Sequence, residues 1–186
     1  MRYPINLDVE GKICAVVGGG RVALRKIRGL LEAGAEVFVI APELCDELRA
    51  IVDEDFIPPA QKKIIWLRQN YEYGCLPRGA LMIAATNDPS VNRAAAQEAL
   101  EKNMLVNVVD GSALPNNVLR FENPSTIRRG ALLITVSTGG TSPALSKFVR
   151  RQLENIFPPN IDLEDSEVNI RNALDSHRTQ SQNRAD

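Results

Sequence analysis

The sequence contains a single histidine and only three cysteines, which excludes several kinds of chemistry. His177 lies in a polar segment near the carboxyl end, so a Ser-His-Asp triad, a histidine general base and a histidine-ligated zinc centre are not expected. Cys14, Cys45 and Cys75 form no C-x-x-C pair. We therefore predict neither a disulfide framework nor a metal site made by the protein.

Long apolar runs and an excess of charge of one sign are also missing. No stretch approaches the roughly 18 apolar residues of a membrane span, and polar residues soon after Met1 interrupt any signal core. The 22 basic residues are balanced by 23 acidic ones, giving a net charge of -1. This balance argues against a nucleic-acid partner. We expect a cytoplasmic protein with no membrane partner.

What the chain does contain is an ordinary globular composition, with 44% hydrophobic and 24% charged residues among 186. Short apolar runs alternate with amphipathic helical patterns up to about residue 110. The predicted strands are 12–17, 36–40, 63–67, 81–85 and 105–109. Such alternation predicts a parallel sheet with helices on both faces, which is the Rossmann-type α/β arrangement. We expect the second helix to begin at Pro42.

The pattern changes after residue 110. Two apolar runs, 118–121 and 132–136, follow without a helix between them and predict an antiparallel pair. A helix is expected to begin at Ser142-Pro143.

The expected domains are a dinucleotide-binding domain at 1–110, a small α+β dimerisation and substrate unit at 111–157, and a helical segment with a polar tail at 158–186. The second unit is too short to bury a good core alone. We therefore expect a homodimer in which two copies of it pack together.

A glycine-rich turn follows the first predicted strand. Gly18-Gly19-Gly20-Arg21-Val22-Ala23 fits G-x-G-x-x-A between a strand and a helix. Gly18 permits the sharp turn, and the missing Cβ of Gly20 lets a diphosphate approach the backbone at the positive end of the helix. The motif predicts a dinucleotide site, with a tight turn that binds nothing as the alternative.

The second predicted strand ends in Ala41-Pro42-Glu43, without an acidic residue directly at its tip. Glu43 lies past a proline, so we expect main-chain groups of residues 41–43 to hold the ribose and adenine. The absence of arginine or lysine at this tip favours NAD over NADP.

Polar residues follow the fourth and fifth predicted strands. The carboxyl ends of parallel strands border the ligand cleft, so Thr86 is a candidate to bind the nicotinamide ribose or the dinucleotide backbone. Helix capping is its alternative role. Asp110 is the best-placed carboxylate for proton transfer, and a turn-forming aspartate is the alternative.

Four segments, in order, resemble the precorrin-2 dehydrogenase / sirohydrochlorin ferrochelatase family, which includes the N-terminal half of siroheme synthase. They are 16–26, 84–88, 107–110 and 137–143. The resemblance spans residues 1–157 and is to the stand-alone form without a methyltransferase domain.

The resemblance implies NAD-dependent oxidation of the tetrapyrrole precorrin-2 to sirohydrochlorin by a homodimer. By position it places NAD contacts at Arg21, Val22, Pro42 and Glu43, and a functional aspartate at Asp110. Insertion of ferrous iron into sirohydrochlorin stays open, because residues 111–124 differ from the family pattern.

Two other functions remain as alternatives. A methyltransferase that uses S-adenosylmethionine has a similar glycine-rich turn, but it is expected to carry an acidic residue directly at the tip of the second strand. A non-catalytic dimer that senses dinucleotides would bind NAD without turnover.

Overall fold

The computed structural model describes residues 3–53, 63–110, 114, 120–130 and 132–159. The chain forms two compact units, of which the first is Tyr3–Glu122 and the second begins at Asn123. The strands of the first unit are β1 Ile13–Val17, β2 Glu36–Ile40, β3 Ile64–Leu67, β4 Leu81–Ala84 and β5 Leu105–Val108. Its helices are α1 Arg21–Glu32, α2 Asp46–Val52 and α3 Pro89–Glu101.

The five strands form one parallel sheet in the order β3-β2-β1-β4-β5. The order reverses between β1 and β4, where Val17 lies beside Ala84. Connections leave these two strands toward opposite faces, so a crevice opens at their carboxyl ends. The predicted Rossmann-type α/β fold is confirmed.

The core has two layers because successive residues of a strand point to opposite faces of the sheet. Cys14 and Val16 pack on one face with the buried residues of α1 and α2, such as Ile27 and Leu48. Ala15 and Val17 pack on the other face with three alanines of α3, namely Ala95, Ala96 and Ala99. Helices therefore cover both faces, as predicted.

The start of α2 differs from the prediction. The helix begins at Asp46 with Cys45 as its N-cap residue, so the expected start at Pro42 is wrong. Residues 41–45 instead form a loop that rests on the glycine turn, where the Cys45 N–H donates to the Gly19 carbonyl at 2.8 Å. This tertiary hydrogen bond holds Cys45 in an extended conformation, so the helix begins only after it.

The second unit contains an antiparallel hairpin and a helix. The elements are β6 Ser125–Arg129, β7 Leu132–Val136 and α4 Pro143–Ile156. Gly130 turns the hairpin with a φ of 53°. The Ser142 hydroxyl accepts a hydrogen bond from the Leu145 N–H at 3.2 Å, which confirms the predicted helix start. At the other end of α4, Arg129 Nε donates to the Phe157 carbonyl at 2.9 Å.

The predicted partner of β7 is wrong. Arg120 forms an isolated parallel bridge with Val106 of β5, and the Phe121 N–H donates to the Val106 carbonyl at 3.1 Å. The end of the predicted strand 118–121 thus lies along β5, and residues 118–119 are outside the described residues. This pairing also places residues 120–122 in the first unit, whereas the sequence placed a boundary near residue 110.

The predicted helical segment and tail after Pro159, including His177, lie outside the described residues. Within the described ranges, no helix combines the length and apolar character that crossing a bilayer requires.

A buried carboxylate fastens the loop before β4 to α3. Glu98 is 1% exposed. It accepts hydrogen bonds from the Tyr71 hydroxyl at 2.7 Å, the Gly74 and Leu76 N–H groups at 2.9 and 3.1 Å, and Lys102 Nζ at 2.5 Å. Burial raises the pKa of Glu98, but these donors outweigh burial and hold the pKa below its ordinary value.

We expect Glu98→Gln to lower the free energy of unfolding by about 2 kcal/mol at neutral pH, because glutamine keeps one acceptor oxygen but presents an NH2 group to the donors of the other oxygen. The folded pKa lies below the unfolded value, so the carboxylate stabilises the protein above the unfolded pKa. That stability is lost as pH falls through the folded pKa. Urea unfolding at neutral and acid pH should show a flatter pH dependence for Glu98→Gln.

The matched control is Glu101→Gln on the same helix, since Glu101 is exposed and bonds Tyr73 and Gln97 at the surface. Equal losses of stability in the two variants would contradict the assignment of Glu98.

Candidate functional site

In the glycine turn after β1, the backbone closely approaches the backbone at the ends of β2 and β4, and no side chain lies between them. Gly18 has a φ of 121°, and a Cβ there would lie 2.5 Å from the Ala85 carbonyl oxygen. A Cβ on Gly19 would lie 2.0 Å from the Glu43 carbonyl oxygen. The Gly18 N–H also donates to the Ile40 carbonyl at 2.9 Å. Gly18 and Gly19 therefore serve the packing of the loop.

Gly20 has a different environment from the two glycines before it. A Cβ on Gly20 would meet no atom within 4 Å, and the residue is exposed. It is the N-cap of α1, without a side-chain cap hydrogen bond, and the first helical bond runs from Leu24 N–H to Gly20 carbonyl.

The N–H groups of the first turn, which includes exposed Arg21 and Val22, lack partners within the helix. An open N-terminus with a positive dipole end suits a diphosphate, so these residues fit the dinucleotide that the motif predicts.

The loop after β2 carries the predicted adenosine contacts Pro42 and Glu43, both exposed. Trp66 of β3 secures this loop by donating its indole N–H to the Ala41 carbonyl at 2.9 Å. The guanidinium groups of Arg49 and Arg68 lie 4.9 and 5.5 Å from the centre of the Trp66 ring. Sequence reasoning missed these arginines, because only the sheet brings β3 beside the end of β2.

Thr86 follows β4 and is half-buried. Its hydroxyl donates to Asn92 Oδ1 at 2.8 Å and accepts from the Asp88 N–H at 3.1 Å. Asp88 itself caps α3 by accepting from the Ser90 and Val91 N–H groups. Thr86 thus has a structural role at the start of α3, and its contact with a cofactor stays a prediction.

Asp110 follows β5 at the same edge of the sheet and is exposed. Its Oδ2 accepts a hydrogen bond from Asn92 Nδ2 at 2.7 Å. Asn92 is completely buried and also bonds Thr86, so it joins the two polar residues that the sequence had placed at neighbouring strand ends. Sequence reasoning missed Asn92, although a polar residue on the alanine-rich buried face of α3 is a signal that could have revealed it.

In the part of the chain that the structure describes, the thiols and carboxylates form neither a disulfide nor a metal site. Cys14, Cys45 and Cys75 are free thiols, and burial raises the pKa of Cys14 to about 11. No group of three His, Cys, Asp or Glu side chains in these described ranges is placed to hold a metal ion.

The reversed strand order, the bare glycine turn and the open start of α1 define an α/β dinucleotide-binding protein. The NAD(P)-binding family model NAD_binding_7 matches residues 5–119. The chain belongs to this NAD(P)-binding family. A second model, described as sirohaem biosynthesis protein central, matches residues 129–156.

Relatives and a solved structure agree with this assignment. The chain is 36% identical over 162 residues to the siroheme synthase of Actinobacillus pleuropneumoniae serotype 3 and 39% identical over 155 residues to that of Methylobacillus flagellatus. These matches cover 87% and 83% of this chain, which spans 31% of the length of each relative.

The structure titled SirC, precorrin-2 dehydrogenase, superposes with a TM-score of 0.68 at 28% identity, over 85% of this chain and 72% of that one. The family resemblance seen in the sequence is confirmed.

Substitutions at two glycines of the turn separate cofactor binding from folding. We expect Gly20→Asp to abolish NAD binding, because the carboxylate faces the diphosphate, while stability is unchanged or raised, because aspartate is a favourable N-cap. Gly19→Ala should instead destabilise the protein by about 1–3 kcal/mol through overpacking against Glu43. Calorimetry with NAD and thermal unfolding measure the two effects.

Gly29→Ala is the control, since Gly29 lies inside α1 with open space at its Cβ position. It should raise stability slightly and leave NAD binding intact. Unimpaired NAD binding by Gly20→Asp would refute the placement of the diphosphate.

Proposed function

We propose that this chain is an NAD-dependent dehydrogenase that oxidises precorrin-2 to sirohydrochlorin. One observation carries the proposal: the open start of α1 at Gly20 and the Asp110 carboxylate lie at the same edge of the sheet. The family assignment supports the cofactor, and the likeness to siroheme synthases and to a precorrin-2 dehydrogenase supports the substrate.

The residues divide into those that bind and those that move a proton. We propose that the cofactor is held by the Gly18–Gly20 turn, by Thr86 and by four exposed residues. The exposed residues are Arg21, Val22, Pro42 and Glu43. NAD, when bound, supplies the acceptor for a hydride from the substrate.

The oxidation also releases a proton, and we propose that Asp110 receives it or holds a pyrrole N–H. The same carboxylate could take the pyrrole protons that ferrous iron displaces, with the substrate nitrogens as the iron ligands.

The second unit is proposed to be the dimerisation and substrate unit. Three large apolar side chains lie along one face of α4, and Leu145, Phe148 and Ile156 are 50%, 59% and 62% exposed. Such a face on a unit too small for a core of its own suits pairing with a second copy. The three free thiols fit a reducing compartment, so we propose that the protein works in the cytoplasm.

The direct test is to add precorrin-2 and NAD and to follow NADH absorbance and the sirohydrochlorin spectrum. We expect turnover by the unmodified protein and a fall in kcat of about 100-fold or more in Asp110→Asn, because the proton acceptor is lost. The shift in melting temperature by NAD should persist in this variant. Adding ferrous iron to sirohydrochlorin tests iron insertion separately.

Each alternative function has its own outcome in this test. Stabilisation by NAD without turnover would identify a dinucleotide sensor. Stabilisation by S-adenosylmethionine and not by NAD would identify a methyltransferase. A full rate in Asp110→Asn would remove Asp110 from the reaction.

The dimer has a separate prediction. We expect Leu145→Glu combined with Phe148→Glu to convert a dimer into a monomer in sedimentation experiments, because buried charges would oppose each other across the interface. Lys147→Glu is the matched control, since Lys147 is exposed on another side of the same helix. A dimer that persists in the double variant would place the interface elsewhere.

A further inference from the structure

We propose that Asn92 is the positioning residue for Asp110, a buried amide that fixes the orientation of the carboxylate receiving the substrate proton. This inference rests on the proposed function, since it assigns Asp110 a proton to accept. It concerns a residue 18 positions away in the chain that sequence reasoning did not identify.

The Asn92 amide uses all of its hydrogen-bonding capacity. Its Oδ1 accepts from the Thr86 N–H at 3.1 Å and from the Thr86 hydroxyl at 2.8 Å. Its Nδ2 donates to the Thr86 carbonyl at 3.1 Å and to Asp110 Oδ2 at 2.7 Å. Two donors and two acceptor sites are the complete inventory of an asparagine side chain.

This pattern determines which way the amide faces. A rotation by half a turn would place the NH2 group against the Thr86 N–H, which is also a donor, and would place an oxygen against the Asp110 carboxylate. Both contacts would be repulsive. The donor of Asn92 is therefore held toward Asp110 by the backbone of Thr86 and is not free to adapt to the carboxylate.

Burial makes this donor rigid as well as correctly oriented. Asn92 is 0% exposed on α3, whereas Asp110 is exposed at the carboxyl end of β5. A buried amide whose four sites are satisfied cannot exchange partners with water without a large cost. A turn-forming aspartate needs no such donor from a distant helix, so the geometry favours a carboxylate whose orientation matters.

In the proposed reaction the substrate loses two hydrogens and gains a double bond. One hydrogen leaves as a hydride that converts NAD+ to NADH, and the other leaves as a proton that Asp110 accepts and later passes to water. The role of Asn92 is to hold one carboxylate oxygen, so that the carboxylate is oriented before substrate arrives.

A double-mutant cycle tests this role. Asn92→Asp keeps the shape and the oxygen that the Thr86 N–H and hydroxyl bind, but it replaces the Nδ2 donor to Asp110 and to the Thr86 carbonyl by an oxygen. We expect kcat for precorrin-2 oxidation to fall about 10–100-fold while the KM for NAD changes little. In the Asp110→Asn background the same change should cause no further fall in kcat, because the proposed effect of Asn92 on the rate passes through Asp110.

Two further variants keep the test decisive. Gln97→Glu makes the same chemical change at an exposed site of α3 and should leave kcat unchanged. Asn92→Ala removes the donor without adding a charge beside Asp110, and it replaces Asn92→Asp if that variant does not fold.

Independent, additive losses at positions 92 and 110 would overturn the inference, as would a full rate in a folded Asn92 variant. An unmodified protein that does not oxidise precorrin-2 would instead refute the proposed function on which the inference rests.

Discussion

The architecture depends on the close approach of bare backbone at Gly18 and Gly19. Carbonyl oxygens of Ala85 and Glu43 occupy the space that a Cβ on these residues would need. This approach lets the residues after β1, β2 and β4 come together, and it leaves the start of α1 at the same edge of the sheet as the polar residues that follow β4 and β5. The first two glycines build the crevice, and the third leaves it open.

Much of the first unit could be predicted because its strands are short apolar runs flanked by clear breaks. The hairpin was misassigned for a physical reason. In β6, Ile127 is the one buried residue among serine, threonine and two arginines, so the strand has little apolar signal of its own. The start of α2 was misassigned because Pro42 suits a first helical turn locally, whereas a tertiary bond from Cys45 to Gly19 decides the outcome.

The candidate site shows the same division. Thr86 and Asp110 could be placed at one edge from strand order alone, since parallel strands end together. The hydrogen bonds that join them could not be predicted, because they are made by Asn92 on the buried face of α3. A single asparagine among alanines does not reveal its partners. Position along a sheet is encoded locally, while the orientation of a functional group is settled by packing.

The indole N–H bound to the Ala41 carbonyl has a practical consequence. Trp66 is the only tryptophan in the sequence. Its tryptophan fluorescence therefore arises from one known place, next to the loop that follows β2 and close to two guanidinium groups. A ligand that binds against this loop alters the electric field at the ring, so the emission of the unlabelled protein reports ligand binding directly.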